Sequence, residues 1–292
     1  MKNIGLLFPG QGIQYIGMGY ELYKEIKSAK KLMDYSNDIL GLDLKSMIFN
    51  GTEEDLRATE IAQPAIFVIS AMYFEKFKQM GEGFHMVAGH SLGEYTSLYA
   101  AGVLSFEDGL RLVRKRGLSM CKNNDRGAMF AVIGVNIEEI SKHLLGLEDK
   151  VVIANINSKI QTVISGDIDE VTKVALKLSQ IENSDVRQLK VSSAFHSPLM
   201  MDAKTIMEEE IEKVVFHEPI VEVIPNVLGY GTKDPIIIKN ALTQQITGHV
   251  KWLDTILYMK ENQINQLYEV GPGEVLKKLN QTITFRPKCS SL

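Results

Sequence analysis

Cysteine is scarce in this chain, with two in 292 residues, Cys121 and Cys289. Such a low count and wide spacing exclude a disulfide framework and a cysteine-built zinc site. Long apolar runs are missing as well. The first segment, MKNIGLLFPGQG, offers only Ile4 to Phe8 before Pro9, too short for the apolar part of a signal peptide. No later run approaches the length of a membrane span. Basic charge is not in excess: 32 Lys and Arg against 36 Asp and Glu leave a net charge of −4, which excludes general nucleic-acid binding through a basic surface. Repeats and low-complexity tracts are absent too. What remains is an ordinary globular composition, long enough for one large domain or two smaller ones. A reducing, cytoplasmic setting is expected, with no membrane partner.

Short apolar runs alternate with helical periods along the chain. NIGLLF closes on PGQG, as a buried strand running into a tight loop. QPAIFVISAMYFEKFKQM (63–80) has helical length, with Pro64 expected in the first turn. HMVAGH reads as a second strand feeding a small-residue helix, and Ser105 with Asp108 forms a capping box for the next helix. From GAMFAVIGV onward the order becomes β-α-β-β-α-β, the ferredoxin-like split pattern, as far as VRQLKV. The strand–helix alternation then resumes. The expected fold is therefore α/β: a parallel-sheet large domain at 1–126 and 194–292, with an inserted ferredoxin-like small domain at 127–193.

The stretch Gly89-His90-Ser91-Leu92-Gly93 is a G-x-S-x-G pattern between an apolar strand and a helix, the context of a nucleophile elbow. Glycines suit a strained turn, and a helix start aims N–H groups at a developing oxyanion. A serine that merely caps the helix is the plainer alternative. A nucleophilic serine needs a base, and six histidines are available. His196 ends an apolar stretch just before a Ser-Pro helix start, although spacing alone leaves the choice open.

Several motifs together carry a resemblance: FPGQG, GHSLGE, RKRG, AFHS and EVGPG, supported by AQPAIF, ANINS…QTVISGD and PNVLG. In this order and spacing, from residue 3 to about 280, the chain resembles the malonyl-CoA:acyl carrier protein transacylase family. That family includes the acyltransferase domains of polyketide synthases. The resemblance implies a hydrolase-like fold and ping-pong transfer of malonyl from malonyl-CoA to the phosphopantetheine thiol of an acyl carrier protein, with no metal and no bound cofactor. By position it implies Ser91 as nucleophile and His196 as base, with the N–H groups of Gln11 and Leu92 as oxyanion hole. The main-chain carbonyl of Gln245 would orient His196, Arg116 would pair with the malonyl carboxylate, and Phe195 would favour malonyl over branched units. A helical wheel does not separate Arg116 from Arg114; only the motif selects it.

One position departs from the pattern. His249 stands where relatives usually have proline, which puts the local turn and the Gln245 carbonyl in question. With no attached synthase domains, the chain is expected to serve carrier proteins in trans, for polyketide or fatty acid synthesis. Three rivals stand beside this reading. An acyl hydrolase acting on carrier proteins would share Ser91 and His196 but have no use for Arg116. A patatin-like lipase would pair its serine with an aspartate. A scaffold protein would carry the serine as a vestige.

Overall fold

The computed structural model describes residues 2–121, 126–191, 193–284 and 286–292; Ser192, inside the expected small domain, lies outside them. The described residues contain nine strands. In chain order they are β1 (Ile4–Phe8), β2 (Met86–Gly89), β3 (Gly127–Ile133), β4 (Val151–Ser158), β5 (Gln161–Asp167), β6 (Asp185–Gln188), β7 (Glu222–Ile224), β8 (Gln266–Glu269) and β9 (Lys288–Ser291).

These strands form two sheets. The first is parallel, in the order β7-β2-β1-β8-β9. Its centre is built from the short runs IGLLF and MVAG, buried at every position, as a sheet covered on both faces requires. The second is antiparallel, in the order β4-β5-β3-β6, the ferredoxin-like arrangement. The helices Ile137–Leu144 and Ile168–Leu178 share a core with it, formed by Val132, Ile140, Ile164, Val171 and Leu178. This unit interrupts the larger one in sequence and is joined to it by backbone. Val250 donates to the Ala154 carbonyl at 2.8 Å, and Ile156 donates to the Val250 carbonyl at 2.9 Å.

One helix differs from its expected bounds. It runs Thr59–Gln79, so Pro64 lies inside it and not in its first turn. Proline there removes the N–H that would bond the carbonyl four residues back, at Glu60. The structure supplies a substitute: the Arg114 guanidinium donates to that Glu60 carbonyl. Arg114 comes from the neighbouring helix Phe106–Met120, which approaches closely at Gly117, where a Cβ would lie 2.8 Å from Glu60 Cα. The helix can therefore pass through proline because another element satisfies its orphan carbonyl. It is apolar nearly all round, and it is buried.

Arg114→Ala should therefore destabilise the fold by about 1–3 kcal/mol, the usual cost of a part-buried acceptor left unpaired. In a Pro64→Ala background, where the helix can bond Glu60 itself, that cost should shrink. Urea unfolding of the four-member cycle measures both. An equal loss in both backgrounds would disprove the compensation.

Candidate active site

β1 and β2 are adjacent and parallel, with Phe8 in register with Gly89, so the loops after them leave the same edge of the sheet. Carboxyl ends of parallel strands are where α/β folds gather their sites. After Gly89 the chain turns at once into the helix Gly93–Ala100, and Ser91 stands on the turn with φ 51°, in the left-handed region. Only glycines fit on either side. A Cβ on Gly89 would lie 1.9 Å from the Gly93 carbonyl carbon, and one on Gly93 would lie 2.0 Å from the Phe8 carbonyl oxygen.

The strained turn is clamped from distant parts of the chain. The Ser91 N–H donates to Asn226 Oδ1 at 2.7 Å, while Asn226 Nδ2 donates to the Gly89 carbonyl at 2.6 Å. Gln245 Nε2 donates to the Ser91 carbonyl at 2.9 Å. Because Asn226 occupies the Ser91 N–H, the next amide, Leu92, is the one left to face a developing oxyanion. The Gln11 side chain is fixed by its donation to Thr59 Oγ1 at 3.1 Å. Neither the Leu92 nor the Gln11 amide donates to a backbone carbonyl in the turns and loops of the described residues.

His196 lies in the loop ahead of Pro198, also at positive φ, 58°. Its Nε2 is 2.7 Å from Ser91 Oγ, and its Nδ1 is 2.8 Å from the Gln245 carbonyl. A carbonyl can only accept, so Nδ1 carries the proton and the Nε2 lone pair faces the hydroxyl. Burial, reinforced by the Arg116 charge, pushes the imidazole down to about 3, so it is neutral near pH 7. The other histidines near the sheet are engaged elsewhere. His85 Nδ1 accepts from the Ile4 amide, and His90 Nε2 meets Asn157 Oδ1 at 3.0 Å. His249 turns its Nδ1 to the Ile153 carbonyl on β4, and the turn that carries Gln245 still delivers its carbonyl to His196.

Arg116 is only 2% exposed, so it is not a solvated helix charge. Its guanidinium donates to Gln63 Oε1 at 2.9 Å, Gln245 Oε1 at 3.1 Å and Ser91 Oγ at 3.2 Å, and it lies 5.7 Å from the centre of the Tyr95 ring. Each acceptor is neutral. Its Nε has no partner, and it forms no ion pair among the described residues. Burial pushes the guanidinium down from its ordinary value, against the pull of Tyr95 and Glu94. Glu94, buried behind the turn, is raised to about 7 by burial, against donors from Gln245 and Asn226 and the Arg116 charge.

In front of Ser91 and His196 lies a cavity of about 210 Å³. Phe195 lines it, together with Met129, Asn155 and Val163 of the antiparallel sheet, so the site lies between the two units. A groove past Gln11 and His90 continues from it toward Leu276 and Lys278.

Ser91, His196, Arg116 and Gln245 are thus brought into direct contact, and Gln11, Leu92 and Phe195 stand at the same place. Together they can form a serine alkoxide, shelter an oxyanion and pair with an anionic substituent. A serine–aspartate dyad is absent: among the described residues Ser91 Oγ meets His196 and Arg116. Three members of the site were not read from the sequence: Gln63, Glu94 and Asn226. Each lies in a motif noted there (AQPAIF, GHSLGE, PNVLG), yet nothing in its residue type assigned it a role.

The chain is similar to known acyl transferases. The acyl transferase domain family matches residues 6–246. The polyketide biosynthesis malonyl CoA-acyl carrier protein transacylase PksC of Bacillus subtilis (strain 168) is 41% identical, over 94% of this chain and 95% of its own length. The malonyl CoA-acyl carrier protein transacylase of the same organism is 38% identical, over 99% and 92%. Among solved structures, a malonyl-transacylase in complex with its type II PKS acyl-carrier protein superposes with a TM-score of 0.95 at 30% identity, covering 100% of this chain and 96% of that one.

Two causes hold His196 neutral, burial and the Arg116 charge, and removing the second should raise its titration midpoint. Ring proton or nitrogen NMR should show His196 uncharged down to at least about pH 5, and Arg116→Ala should move the midpoint upward. The unfolded chain binds this proton below about pH 6.5 and the folded chain does not, so the site makes stability fall as pH drops below that value. An ordinary midpoint near 6.5 in the wild type would contradict the buried, cation-flanked imidazole.

Proposed function

This chain belongs to the acyl transferase domain family, and from that premise we propose that it transfers a malonyl group from malonyl-CoA to the phosphopantetheine thiol of an acyl carrier protein. Relatives named for this reaction span nearly the whole chain, and one of the matching solved structures is a complex with a carrier protein. The observation that carries the reading is Arg116, a buried guanidinium that touches the serine hydroxyl and whose hydrogen-bond partners among the described residues are all neutral. A donor with a carboxylate at its far end would complete it. A hydrolase of simple acyl groups would bury this charge to no purpose, and the relatives compared are transacylases.

The cycle follows from the contacts. Ser91 Oγ attacks the thioester carbonyl as His196 Nε2 takes its proton. The oxyanion is received by the Leu92 and Gln11 amides, the C–S bond breaks, and the imidazolium returns its proton to the departing CoA sulfur. The carrier's thiol then gives its proton to His196 and attacks the acyl-serine, and the released Ser91 oxygen takes the proton back. The Gln245 carbonyl holds the ring in the required tautomer. Arg116 can grip the malonyl carboxylate with parallel hydrogen bonds, which a lysine cannot do. Phe195, on the cavity wall, would limit the width open to branched acyl units. No step calls for a bound cofactor.

The same reading divides the chain into a catalytic part, 1–126 and 194–292, and a small part, 127–193; the antiparallel sheet lying within Gly127–Gln188 supports this. It places the reaction in the cytoplasm, in the service of polyketide or fatty acid synthesis. Among the described residues no helix is long and apolar enough to cross a membrane.

Intact-protein mass spectrometry should show one malonyl group added by malonyl-CoA and removed by holo-carrier protein, with no addition to Ser91→Ala. His196→Ala should slow both halves by about 10²–10⁴. Labelling of Ser91→Ala at the wild-type rate would defeat the assignment.

Arg116→Ala should reduce malonyl transfer about 10²-fold or more, the scale of leaving a buried charge unpaired, while acetyl transfer falls little or rises. Arg114→Ala, assayed where it is folded, should leave the malonyl-to-acetyl ratio unchanged. Equal losses for both donors in Arg116→Ala would remove the carboxylate role.

A further inference from the structure

The nucleophile, the base and the arginine are all traceable to one buried carboxylate oxygen. Glu94 is fully buried, and its Oε2 accepts the Asn226 N–H at 3.0 Å and Gln245 Nε2 at 2.9 Å. These two donors come from segments 132 and 151 residues away in sequence. Both also serve the site through other atoms. The Asn226 side chain clamps the Ser91 turn on both sides. Gln245 bonds the Ser91 carbonyl and Arg116 with its side chain, and His196 with its main-chain carbonyl. Glu94 itself sits in the first turn of the helix that begins at the elbow, and its N–H donates to the Ser91 carbonyl at 3.0 Å. Among the described residues its other oxygen, Oε1, has no partner.

We propose that Glu94 is a positioning residue for acyl transfer, acting through Asn226 on Ser91 and through Gln245 on His196 and Arg116. This rests on the roles assigned above to those three residues. A core carboxylate with no such duty would be a liability, since burial disfavours its charge and, among the described residues, no ion-pair contact offsets it fully. The device needs an acceptor at Oε2 and does not need the negative charge. An amide oxygen can accept both N–H groups, and its NH₂ would occupy the place of the unpartnered Oε1. Its arms to Ser91 and His196 reach the atoms common to all acyl donors, so loss of Glu94 should slow the chemical step with both, and any displacement of Arg116 adds only to the malonyl loss. That separates it from Arg116, whose loss discriminates between donors.

The test measures the rate constant of acylation per titrated active site with malonyl-CoA and acetyl-CoA, for wild type, Glu94→Ala and Glu94→Gln. Glu94→Ala should fall about 10²-fold with both donors and with KM changed less than about twofold, the scale of a small misplacement of reacting groups. Glu94→Gln should recover to within about threefold of wild type. If Glu94→Ala does not fold, Asn226→Ala takes its place with the same expectation, because it cuts the arm to Ser91 and leaves the carboxylate in position. A wild-type rate per active site in Glu94→Ala, or in Asn226→Ala where that stands in, overturns the proposal. So does Glu94→Gln if it is as slow as the alanine variant. Wild-type protein that takes no malonyl group at Ser91 would defeat the transferase reading and this inference with it. Wild-type labelling with an unaltered Glu94→Ala defeats the inference alone.

Discussion

A guanidinium shut away from water, with no carboxylate against it among the described residues, is the constraint that organises this structure. Keeping Arg116 charged at 2% exposure demands several aligned oxygens, since the desolvation of one cation amounts to several kcal/mol. The protein supplies neutral ones: Gln63 from the buried helix Thr59–Gln79, Gln245 from the far end of the chain, and the serine hydroxyl itself. Neutral partners stabilise the charge without cancelling it. An anionic substituent of a substrate can therefore still gain from meeting it, which a preformed ion pair would prevent. Burial and the same charge hold the neighbouring imidazole unprotonated, so one cation both stays open to an anion and keeps His196 neutral beside Ser91.

The position of that cation depends on how two helices touch. Gly117 lets the helix Phe106–Met120 come against the Glu60 backbone, Arg114 satisfies the carbonyl that Pro64 leaves open, and one turn along Gln63 meets Arg116. Two arginines separated by one residue thus divide two tasks, one structural and one facing the serine. Strain is handled in the same distributed way. Ser91 and His196 both hold positive φ, at about 1–3 kcal/mol each, and persist because hydrogen bonds from Asn226 and Gln245 over-determine them. Gln245 alone uses its main-chain carbonyl, its side-chain oxygen and its side-chain nitrogen on three different parts of the site.

What could be read from the sequence was local. The apolar runs of β1 and β2, the glycines around Ser91, the Ser105 cap and the β-α-β-β-α-β order each express a preference within a few residues, and each is found in the structure. Pro64 inside the helix is not legible in sequence because its compensation comes from another helix, which no period along Thr59–Gln79 can reveal. Arg116 and Arg114 look alike on a helical wheel; tertiary packing decides which is buried, and only the motif resemblance singled out one. Glu94, Asn226 and Gln63 lay in view inside motifs, but their roles are contacts spanning from 53 to 151 residues of chain. Residue type says such groups need partners when buried. It cannot say which partners.

The departure at His249 joins these scales. Residues 245 to 250 present the base's acceptor at one end and a backbone bridge to β4 at the other, through Val250 with Ala154 and Ile156. A proline at 249 would offer neither a backbone N–H nor a polar side chain. Histidine adds a ring contact to the Ile153 carbonyl on the same strand. The segment that orients His196 is therefore fastened to the antiparallel unit by main chain and side chain together. That unit in turn supplies Met129, Asn155 and Val163 to the wall opposite Ser91. The wall opposite Ser91 and the Gln245 carbonyl that fixes the imidazole tautomer therefore meet at one seam between the two units.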